Sequence, residues 1–234
     1  IVWDTVSVTV LETPYIQSLN DTIICSGSSI TLAATGSGIT DWYLLGNSQP
    51  LTQMTFVPDT TESYVVFAEN GICGQLSDTI LVEVLSNPQS AHDLTGDTLV
   101  CQGESSLIYN LPAIGYATAY NWTLPAGATG ISSTNNISIS YGLSAVSGYV
   151  HVYAMNSCGS GSPDSLWVEV FSKPATPLIS LNNHTLHSSA SVGNQWYLQG
   201  ISIIGANAQD YEAVTDGDYY TIVTLNECSS ENSN

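Results

Sequence analysis

Few residues in this chain have the chemical types that catalysis requires. The sequence holds 20 acidic residues and four histidines but a single basic residue, Lys173. It contains no Gly-x-Ser-x-Gly elbow, no phosphate-binding glycine loop and no His-Glu-x-x-His motif. His184 and His187 lie three residues apart on a predicted loop and strand, where that spacing turns the two side chains to opposite faces. We therefore predict a protein that is not an enzyme and has no catalytic residues, with four surface histidines: His92, His151, His184 and His187.

Acidic side chains could instead bind a cation. Asp93 and Asp97 lie near one predicted domain junction, and four further carboxylates cluster toward the end of the chain. Ca²⁺ prefers clustered oxygen ligands, so calcium is the one cofactor that the sequence leaves open. The alternative, which we favour, is a solvated acidic surface that keeps the chain soluble, with no bound metal or cofactor. The later carboxylates are Asp210, Glu212, Asp216 and Asp218.

The overall composition excludes several classes of partner. Charged residues make up 9% of the 234 residues, and the net charge is −19. Nucleic acid and anionic lipid are both held by Lys and Arg, so we expect neither as a partner. A hydrophobic content of 43% is too high for a disordered acidic tail. No apolar run approaches the roughly 18 residues that span a bilayer, so we predict no membrane insertion and expect any targeting elements outside these residues.

The elements that must position these side chains are predicted to be short strands. Apolar and polar residues alternate in segment after segment, as at Val6, Val8 and Val10, and a period of two is typical of half-buried strands. Turn clusters such as residues 36–38 and 216–218 separate these segments. No helical stripe of ten or more residues interrupts them. The pattern therefore predicts an all-β fold of antiparallel sandwiches.

An internal repeat gives the sharpest signal. Three tyrosines each precede a cysteine by nine residues, and a lone tryptophan lies about two dozen positions before each tyrosine. This spacing fits an immunoglobulin-like sandwich, in which a tryptophan of strand C is buried against strand F. We therefore predict six core anchors, which are Trp42, Trp122, Trp196, Tyr64, Tyr149 and Tyr219.

A closing strand of one formula divides the chain into domains. The formula Asp-Thr/Ser-x-x-Val-x-Val follows the first two repeated cysteines, at residues 78–84 and 164–170, and the same formula opens the chain at residues 4–10. We predict that residues 1–12 are the closing strand of a preceding immunoglobulin-like domain. Three domains follow, at 13–86, 87–172 and 173–234, and the last lacks its closing strand. The alternative is a filament in which the first strand of one molecule completes the last domain of the next.

The five cysteines show no spacing typical of a zinc site, which favours disulfides in an oxidising compartment. We predict Cys25 paired with Cys73 and Cys101 paired with Cys158, because each pair belongs to one repeat, with Cys228 left over. One geometric objection stands. In a standard sandwich Cys25 and Cys73 would lie at opposite ends, beyond the Cα limit of about 7 Å for a bridge. The alternative is that these thiols are free or bridge neighbouring domains.

Taken together, these residues resemble the immunoglobulin-like and PKD-like repeats of long surface adhesins and secreted proteins that Bacteroidota export through the type IX secretion system. The resemblance rests on residues 21–32 in the first repeat, on 120–129 and 156–161 in the middle, PKD-like repeat, and on 194–197 and 203–206 in the third. It covers nearly the whole chain. It implies an extracellular or cell-surface location and partners among other domains of the same chain or neighbouring surface proteins.

The same resemblance implies O-glycosylation, because Bacteroidota attach glycans to Asp-Ser/Thr-hydrophobic triplets in exported proteins. Two triplets begin four residues before a cysteine, and three open the closing strands. The alternative is that Asp and Thr simply start a strand, as a turn residue followed by a β-former. The candidate hydroxyl residues are Thr5, Thr22, Thr79, Thr98 and Ser165.

Aromatic residues could also line a glycan-binding platform. Trp3 and Trp167 lie in the closing-strand segments and alternate away from the valines, and Tyr43 and Tyr197 are two further candidates. The alternative, which we favour, is a place in the core or at a domain junction.

The sequence therefore predicts a structural and adhesive repeat segment, a rigid spacer or stalk in a longer secreted or cell-surface bacterial protein. Two alternatives stay open, a carbohydrate-binding accessory module of a secreted glycoside hydrolase and a filament subunit assembled by strand donation.

Overall fold

The fold is entirely β in the computed structural model, which describes residues 3–10, 12–18, 20–51, 54–69 and 73–234. The described residues contain no α-helix, which confirms the predicted fold class. None of the described segments is therefore a helix long and apolar enough to cross a membrane. The strands fall into two compact units, the first formed by Ile1–Pro88 with Met155–Ser160 and the second by Gln89–Ala154 with Gly161–Asn234.

The first unit holds one sandwich. Its main sheet has the strand order β2-β8-β7-β5, and the pairs β1-β4 and β3-β6 lie outside that sheet. Strand β2 runs parallel to β8, and the other pairs are antiparallel. The strands are β1 (Tyr15–Ser18), β2 (Thr22–Cys25), β3 (Ile30–Thr31), β4 (Ala34–Ser37), β5 (Ile39–Leu44), β6 (Thr55–Phe56), β7 (Glu62–Glu69) and β8 (Gln75–Leu85).

Alternation along β7 and β8 builds the core of this sandwich. Val66 and Ala68 on β7 are fully buried, and Val82 on β8 is buried beside them. Trp42 and Tyr64, two predicted core anchors, are 3% and 4% exposed in the same cluster. The residues between the buried positions face outward, because successive strand side chains point to opposite sides of the sheet.

The predicted strand at the start of the chain is not formed in this structure. Residues 3–10 have no regular secondary structure. Val6, Val8 and Val10 are 79–86% exposed, because no strand among the described residues covers the face that their alternation creates. Residues 1, 2 and 11 of the predicted segment 1–12 lie outside the described residues. The assignment of this segment to a preceding domain stays a prediction.

The second sandwich lies in the second unit, apart from β15 and the last two residues of β14, which are assigned to the first unit. Its larger sheet has the order β11-β14-β16-β9, with β15 paired to β14, and it faces a sheet of order β10-β13-β12. Strand β9 runs parallel to β16, as β2 does to β8 in the first sandwich. The strands are β9 (Leu99–Cys101), β10 (Leu107–Asn110), β11 (Ala119–Thr123), β12 (Ala128–Thr129), β13 (Asn136–Tyr141), β14 (Gly148–Asn156), β15 (Gly159–Ser160) and β16 (Asp164–Phe171).

Tyr149 is not a core anchor, contrary to the sequence prediction. On β14 the buried residues are Val150, Val152 and Ala154, so Tyr149 lies on the outer face and is 50% exposed. Tyr149, nine residues before Cys158, is one position before the buried Val150. A shift of one residue moves a side chain to the other face of the sheet.

Trp122, another predicted core anchor, is partly buried against this core, and its indole N–H donates to the Thr134 carbonyl oxygen (2.9 Å).

The third sandwich completes the second unit, with sheets of order β17-β18-β21 and β20-β19-β22-β23. Trp196 is fully buried, and its indole N–H donates to the Ala208 carbonyl oxygen (2.9 Å). Tyr219 is half-buried. The strands are β17 (Ile179–Asn182), β18 (Thr185–Ser188), β19 (Asn194–Leu198), β20 (Ile201–Ser202), β21 (Asp210–Glu212), β22 (Tyr219–Leu225) and β23 (Cys228–Ser229).

The disulfides differ from the predicted pairs. Cys25 bonds to Cys158 and Cys101 bonds to Cys228, with Cα–Cα distances of 5.4 and 5.6 Å. Cys73 is exposed and belongs to neither bond. The cysteine outside the two disulfides is therefore Cys73 and not Cys228.

Strand length explains why the two cysteines of one repeat do not pair. Cys25 lies opposite Leu85 at the end of β8, whereas Cys73 lies just before β8 begins. A strand of 11 residues spans roughly 35 Å, far beyond the Cα limit of about 7 Å. Cys101 likewise lies opposite Phe171 at the end of β16, and Cys158 precedes that strand. Each bond instead joins cysteines of successive repeats in the sequence.

Candidate functional site

The histidines are dispersed over the described structure. His92 contacts the carboxylate of its neighbour Asp93 (2.8 Å), and His187 contacts Asp210 (2.5 Å), both at exposed positions. His184, just before β18, lines an open depression of about 760 Å³ in the third sandwich. No two of these histidines share a partner, so the described residues bring no set of them to one place.

One histidine lies beside a nucleophile type. Nδ1 of His151 on β14 is 2.6 Å from Oγ of Ser165, its direct partner on β16. Nucleophilic catalysis by such a pair needs a third group that orients the imidazole and donors that hold an oxyanion. No described carboxylate hydrogen-bonds to His151, and the pair lies on the outer face of a sheet. The pair can offer hydrogen-bonding groups to a ligand, but the described residues give His151 no orienting carboxylate.

The carboxylates considered for calcium lie in different places. Asp216 and Asp218 line the same depression as His184, whereas Asp210 contacts His187 on a neighbouring strand. Within the ranges that the structure describes, no three His, Cys, Asp or Glu side chains come close enough to hold a metal ion. Calcium binding therefore gains no geometric support from these residues.

Aromatic pairs lie on the outer faces of the sheets that contain β7, β14 and β22. The most exposed is Tyr149 with Trp167, which are direct cross-strand partners on β14 and β16 with ring centroids 5.0 Å apart and an interplanar angle of 72°. Both rings are about half exposed. The other two pairs, with half-buried rings, are Tyr43 with Phe67 (5.5 Å) and Tyr197 with Tyr220 (4.8 Å).

The polar atoms of the exposed pair are unused within the part of the chain that the structure describes. Neither the Tyr149 hydroxyl nor the Trp167 indole N–H has a hydrogen-bond partner among the described residues. By contrast, the indole N–H groups of Trp122 and Trp196 each donate to a backbone carbonyl oxygen. The outer face around Tyr149 thus presents two apolar rings with free donors, next to the hydrogen-bonded His151 and Ser165. Trp167 was among the platform candidates of the sequence, whereas Tyr149 was missed because it was predicted to be buried.

The O-glycosylation candidates are on the surface. Thr5, Thr79, Thr98 and Ser165 are exposed, and Thr22 is half-buried at the start of β2. A hydroxyl acceptor has to be accessible, so four of the five candidates meet this first requirement.

The aspartates of these triplets also have structural partners. Asp78 and Asp164 each accept a hydrogen bond from the N–H of the following residue (2.9 and 2.7 Å). Asp21 accepts from the Leu81 N–H (2.8 Å), and Asp164 also accepts from the Leu94 N–H (2.8 Å). These bonds fasten the closing strands, so the recurrence of Asp has a physical reason in addition to any modification.

The strongest electrostatic perturbation belongs to two buried phenols that the sequence analysis did not single out. The hydroxyls of Tyr109 and Tyr141 are 2.9 Å apart, and that of Tyr109 also donates to the Asp97 carbonyl oxygen (2.7 Å). Burial raises the pKa of both phenols above the usual value, and the pKa of Tyr109 far above it. Their position inside the core of the second sandwich makes them structural groups.

Elsewhere, the ammonium of Lys173 lies 2.6 Å from the exposed Glu231 carboxylate and lowers the pKa of that carboxyl.

Fold and disulfides together define this chain as a series of immunoglobulin-like β-sandwiches. Residues 87–168 match the family model of the PKD-like domain, which confirms the predicted resemblance of the middle repeat. Domains of this kind are typically non-catalytic structural modules.

Solved structures show the same fold over nearly the whole chain. The I-band fragment I67-I69 from titin is 18% identical with a TM-score of 0.52, and the alignment covers 94% of this chain and 96% of that one. The E-to-A mutated variant of the same three titin domains is 18% identical with a TM-score of 0.50, over 96% and 99% of the two chains. A comparison with curated protein sequences found no match.

Proposed function

We propose that this chain is a non-catalytic structural segment of a longer extracellular or cell-surface protein, a spacer or stalk that carries mechanical load. The observation that carries the proposal is the order of the disulfides: the bond from Cys25 to Cys158 and the bond from Cys101 to Cys228 interleave along the chain. Interleaved bonds limit how far a chain can be extended even if every sandwich unfolds. Paired cysteines also favour an oxidising, extracellular compartment.

The mechanical consequence can be calculated from connectivity alone. Pulled from its two ends, the oxidised chain extends along its shortest covalent path, which crosses from Cys25 to Cys158, returns to Cys101 and crosses to Cys228. That path holds roughly 90 residues and spans about 300 Å at ~3.4 Å per residue, against about 800 Å for the reduced chain. A bond within each repeat, from Cys25 to Cys73 and from Cys101 to Cys158, would permit about 440 Å.

Single-molecule force spectroscopy tests this proposal. The oxidised chain should stop extending at about 300 Å, and reductant should release it to about 800 Å. The matched variant Cys101→Ser with Cys228→Ser keeps one bond and should stop at about 340 Å. If the oxidised chain reaches the full extension of the reduced chain without reductant, the bonds bear no load and the proposed function is refuted.

A second candidate function, a binding face for neutral glycans, is favoured by the exposed pair Tyr149 and Trp167. Sugars present apolar C–H faces between hydroxyl groups, and the pair offers ring faces with the free donors described above. An aromatic side chain contributes about 150–250 Å², so two half-exposed rings present roughly 200 Å². A specific protein interface needs about 800 Å² on each partner. The size of the pair therefore suits a few sugar rings better than a protein.

Charge limits the class of glycan. The single basic residue of the chain, Lys173, contacts Glu231, and the outer face beside Trp167 carries the exposed Glu169. Uronic or sulfated polymers would meet negative charge there without a compensating cation. The ligand class is therefore a neutral oligosaccharide.

Saturation-transfer NMR on cellohexaose, laminarihexaose and mannohexaose tests this second function. At least one should bind, and Trp167→Ala should weaken binding at least about tenfold, or ~1.4 kcal/mol. Tyr149→Phe keeps the ring and should lose only the share due to the hydroxyl. Tyr15→Ala, which removes an exposed aromatic ring on another sheet, is the control. The absence of binding to all three sugars, or equal binding by Trp167→Ala, would refute it.

The Bacteroidota lineage, the type IX export route and the O-glycans extend the proposed function. Their support is the sequence resemblance together with the exposure of Thr5, Thr79, Thr98 and Ser165. Intact-mass and peptide mass spectrometry of the protein from its natural source should show hexose-containing glycans on at least Thr79. Unmodified hydroxyls at all candidate residues would refute glycosylation without affecting the structural role.

A further inference from the structure

The outer face of β14 carries a line of aromatic rings. Tyr149, His151 and Tyr153 are spaced two residues apart, and the residues between them, Val150 and Val152, are buried in the core. The three rings therefore lie on one face of the strand, at intervals of about 6.7 Å and over a length of roughly 13 Å. We refer to Tyr149, His151 and Tyr153 as the aromatic stripe.

The first rings of the aromatic stripe are in contact with one another. The ring centroids of Tyr149 and His151 are 5.5 Å apart, with an interplanar angle of 30°. Trp167 joins them from β16, with its ring centroid 5.0 Å from that of Tyr149. Tyr149 is half exposed, and His151 and Tyr153 are each partly exposed. The aromatic surface therefore continues along β14 beyond the pair of Tyr149 and Trp167.

Polar side chains border the aromatic stripe on both sides. On β16, Oγ of Ser165 lies 2.6 Å from Nδ1 of its cross-strand partner His151. On the other side, the neighbouring strand β11 exposes Asn121 and Thr123, whereas Trp122 between them packs against the core. Imidazole, hydroxyl and amide groups can all donate and accept hydrogen bonds. Sugar rings present C–H groups on their faces and hydroxyls at their edges, so this arrangement matches both.

The aromatic stripe carries no acidic or basic side chain, and neither does β11. The carboxylates of β16 lie at its two ends. Asp164 accepts hydrogen bonds from the N–H groups of Ser165 and Leu94, and Glu169 lies beyond Trp167, opposite Leu99 on β9. A line of rings without charge favours an uncharged polymer.

The straight path of the strand selects among uncharged glycans. A β-strand is nearly fully extended, so a ligand that follows it has to be extended as well. Glucans and mannans with β-1,4 linkages form extended ribbons in which successive sugar rings follow one line. Glucans with β-1,3 linkages curve into a helix and would leave the strand after the first rings.

We propose that the outer face of β14 binds a linear β-1,4-linked neutral glycan along the strand. One end of the glycan stacks on Tyr149 and Trp167, the middle contacts His151, and the far end stacks on Tyr153. His151 and Ser165 together hydrogen-bond a hydroxyl of the middle sugar, which makes His151 a specificity-determining residue. The inference rests on the second candidate function in one respect, that the exposed aromatic pair binds a neutral glycan.

The first test is the dependence of affinity on chain length. Cello- and manno-oligosaccharides of two to six rings are titrated by NMR, which measures weak affinities, into the 234-residue chain made without O-glycans. In at least one series the affinity should rise at least about tenfold from the disaccharide to the tetrasaccharide and then level off. Laminarihexaose should bind at least about tenfold more weakly than the better β-1,4-linked hexaose. Equal affinity for the disaccharide and the hexaose, or tighter binding of laminarihexaose, would overturn the inference.

Variants of the middle position give the second test. His151→Ala should weaken hexaose binding at least about threefold and leave disaccharide binding unchanged, because the disaccharide occupies the rings of Tyr149 and Trp167. A loss of folding would weaken both ligands alike. His151→Phe should restore the stacking share of the loss, and Ser165→Ala should lose only the hydrogen-bonding share. Ser138→Ala, exposed on the outer face of the opposite sheet, is the matched control.

The failure of this inference can be told from the failure of the function on which it rests. If a hexaose binds and Trp167→Ala abolishes the binding, but His151→Ala leaves it unchanged, the glycan occupies the exposed pair alone and only the extended site is refuted. If no hexaose binds, the second candidate function and the extended site are both refuted. Neither result affects the mechanical role proposed for the disulfides.

Discussion

At the scale of single residues, two phenols show how the second sandwich satisfies polar atoms inside its core. Tyr109 and Tyr141 are 0% and 1% exposed, and they come from the neighbouring strands β10 and β13. Because the Tyr109 hydroxyl donates to the Asp97 carbonyl oxygen, its oxygen accepts the proton of Tyr141. This short chain of hydrogen bonds fixes the segment before β9 against the core.

Removing either hydroxyl should destabilise the sandwich by a different amount. Tyr141→Phe removes one buried bond, and we expect a loss of about 1 kcal/mol in the free energy of unfolding. Tyr109→Phe leaves both the Asp97 carbonyl and the Tyr141 hydroxyl without their partner, so we expect about 2–3 kcal/mol. Urea unfolding measures both values. Equal losses for the two variants would contradict the direction assigned to the bonds.

The same pair predicts a decline of stability in alkali. Burial raises the pKa of Tyr109 and of Tyr141 above that of an unfolded tyrosine, near 10. Above about pH 10 the unfolded chain therefore gives up protons that the folded protein retains, and stability falls as the pH rises further. Below that pH the contribution is fully present. Urea unfolding between pH 8 and about pH 11 measures the decline, which should be shallower in the double variant Tyr109→Phe with Tyr141→Phe.

At the scale of elements, the register of β14 decides which side chains form the core and which form the surface. Val150, Val152 and Ala154 are completely buried, and Tyr149 and His151 lie on the other face. The strand alternates regularly. The sequence prediction misplaced Tyr149 because it counted nine residues back from Cys158. The distance from the end of the strand to the cysteine differs between the two repeats: Cys158 comes two positions after the end of β14, whereas Cys73 comes four positions after the end of β7.

Adjacent substitutions on β14 should destabilise the sandwich by unequal amounts. Val150→Ala leaves a cavity in a core that cannot fully collapse, and we expect a loss of about 2 kcal/mol. Tyr149→Ala removes an exposed cross-strand pair with Trp167, which is worth about 0.2–1 kcal/mol. Chemical denaturation of the two variants beside the parent protein gives both values. A larger loss for Tyr149→Ala would place the tyrosine in the core, as the sequence predicted.

At the scale of the whole molecule, the disulfides contribute stability through the unfolded state. The bond between Cys101 and Cys228 has a sequence separation of 127 residues, and closing so long a loop removes much conformational freedom from the unfolded chain. We expect Cys101→Ser with Cys228→Ser to lower the free energy of unfolding by about 2–5 kcal/mol. Urea denaturation under oxidising conditions tests this value, and no change would contradict the bond. Cys73→Ser is the matched control.

Resistance to trypsin is a property of the whole chain that needs no fold. Lys173 is the single basic residue, and Pro174 follows it, so the enzyme has essentially no site that it cuts well. We expect an intact chain on a gel after prolonged digestion, both folded and in urea. Pepsin, which cuts beside apolar residues, is the control for unfolding. Discrete tryptic fragments from the unfolded protein would contradict the prediction.

Most of the fold could be read from local patterns. The period of two along segments such as residues 78–84 determined the strands, and the spacing of Trp42 and Trp196 from a later tyrosine and cysteine indicated the immunoglobulin-like plan. These signals are local because side-chain direction in a strand depends only on its alternation. The inventory of residue types likewise indicated the lack of any recognisable catalytic motif, without reference to three-dimensional structure.

The tertiary structure alone decided the disulfides and the exposed aromatic face. Cys25 and Cys73 share a repeat, but an 11-residue strand separates them. The partners of Cys25 and Cys101 each come from the next repeat. Likewise, the pairing of Tyr149 with Trp167 depends on the register between β14 and β16. Both are distances between residues far apart in the sequence, set by strand length and pairing, and no pattern within a single segment encodes them.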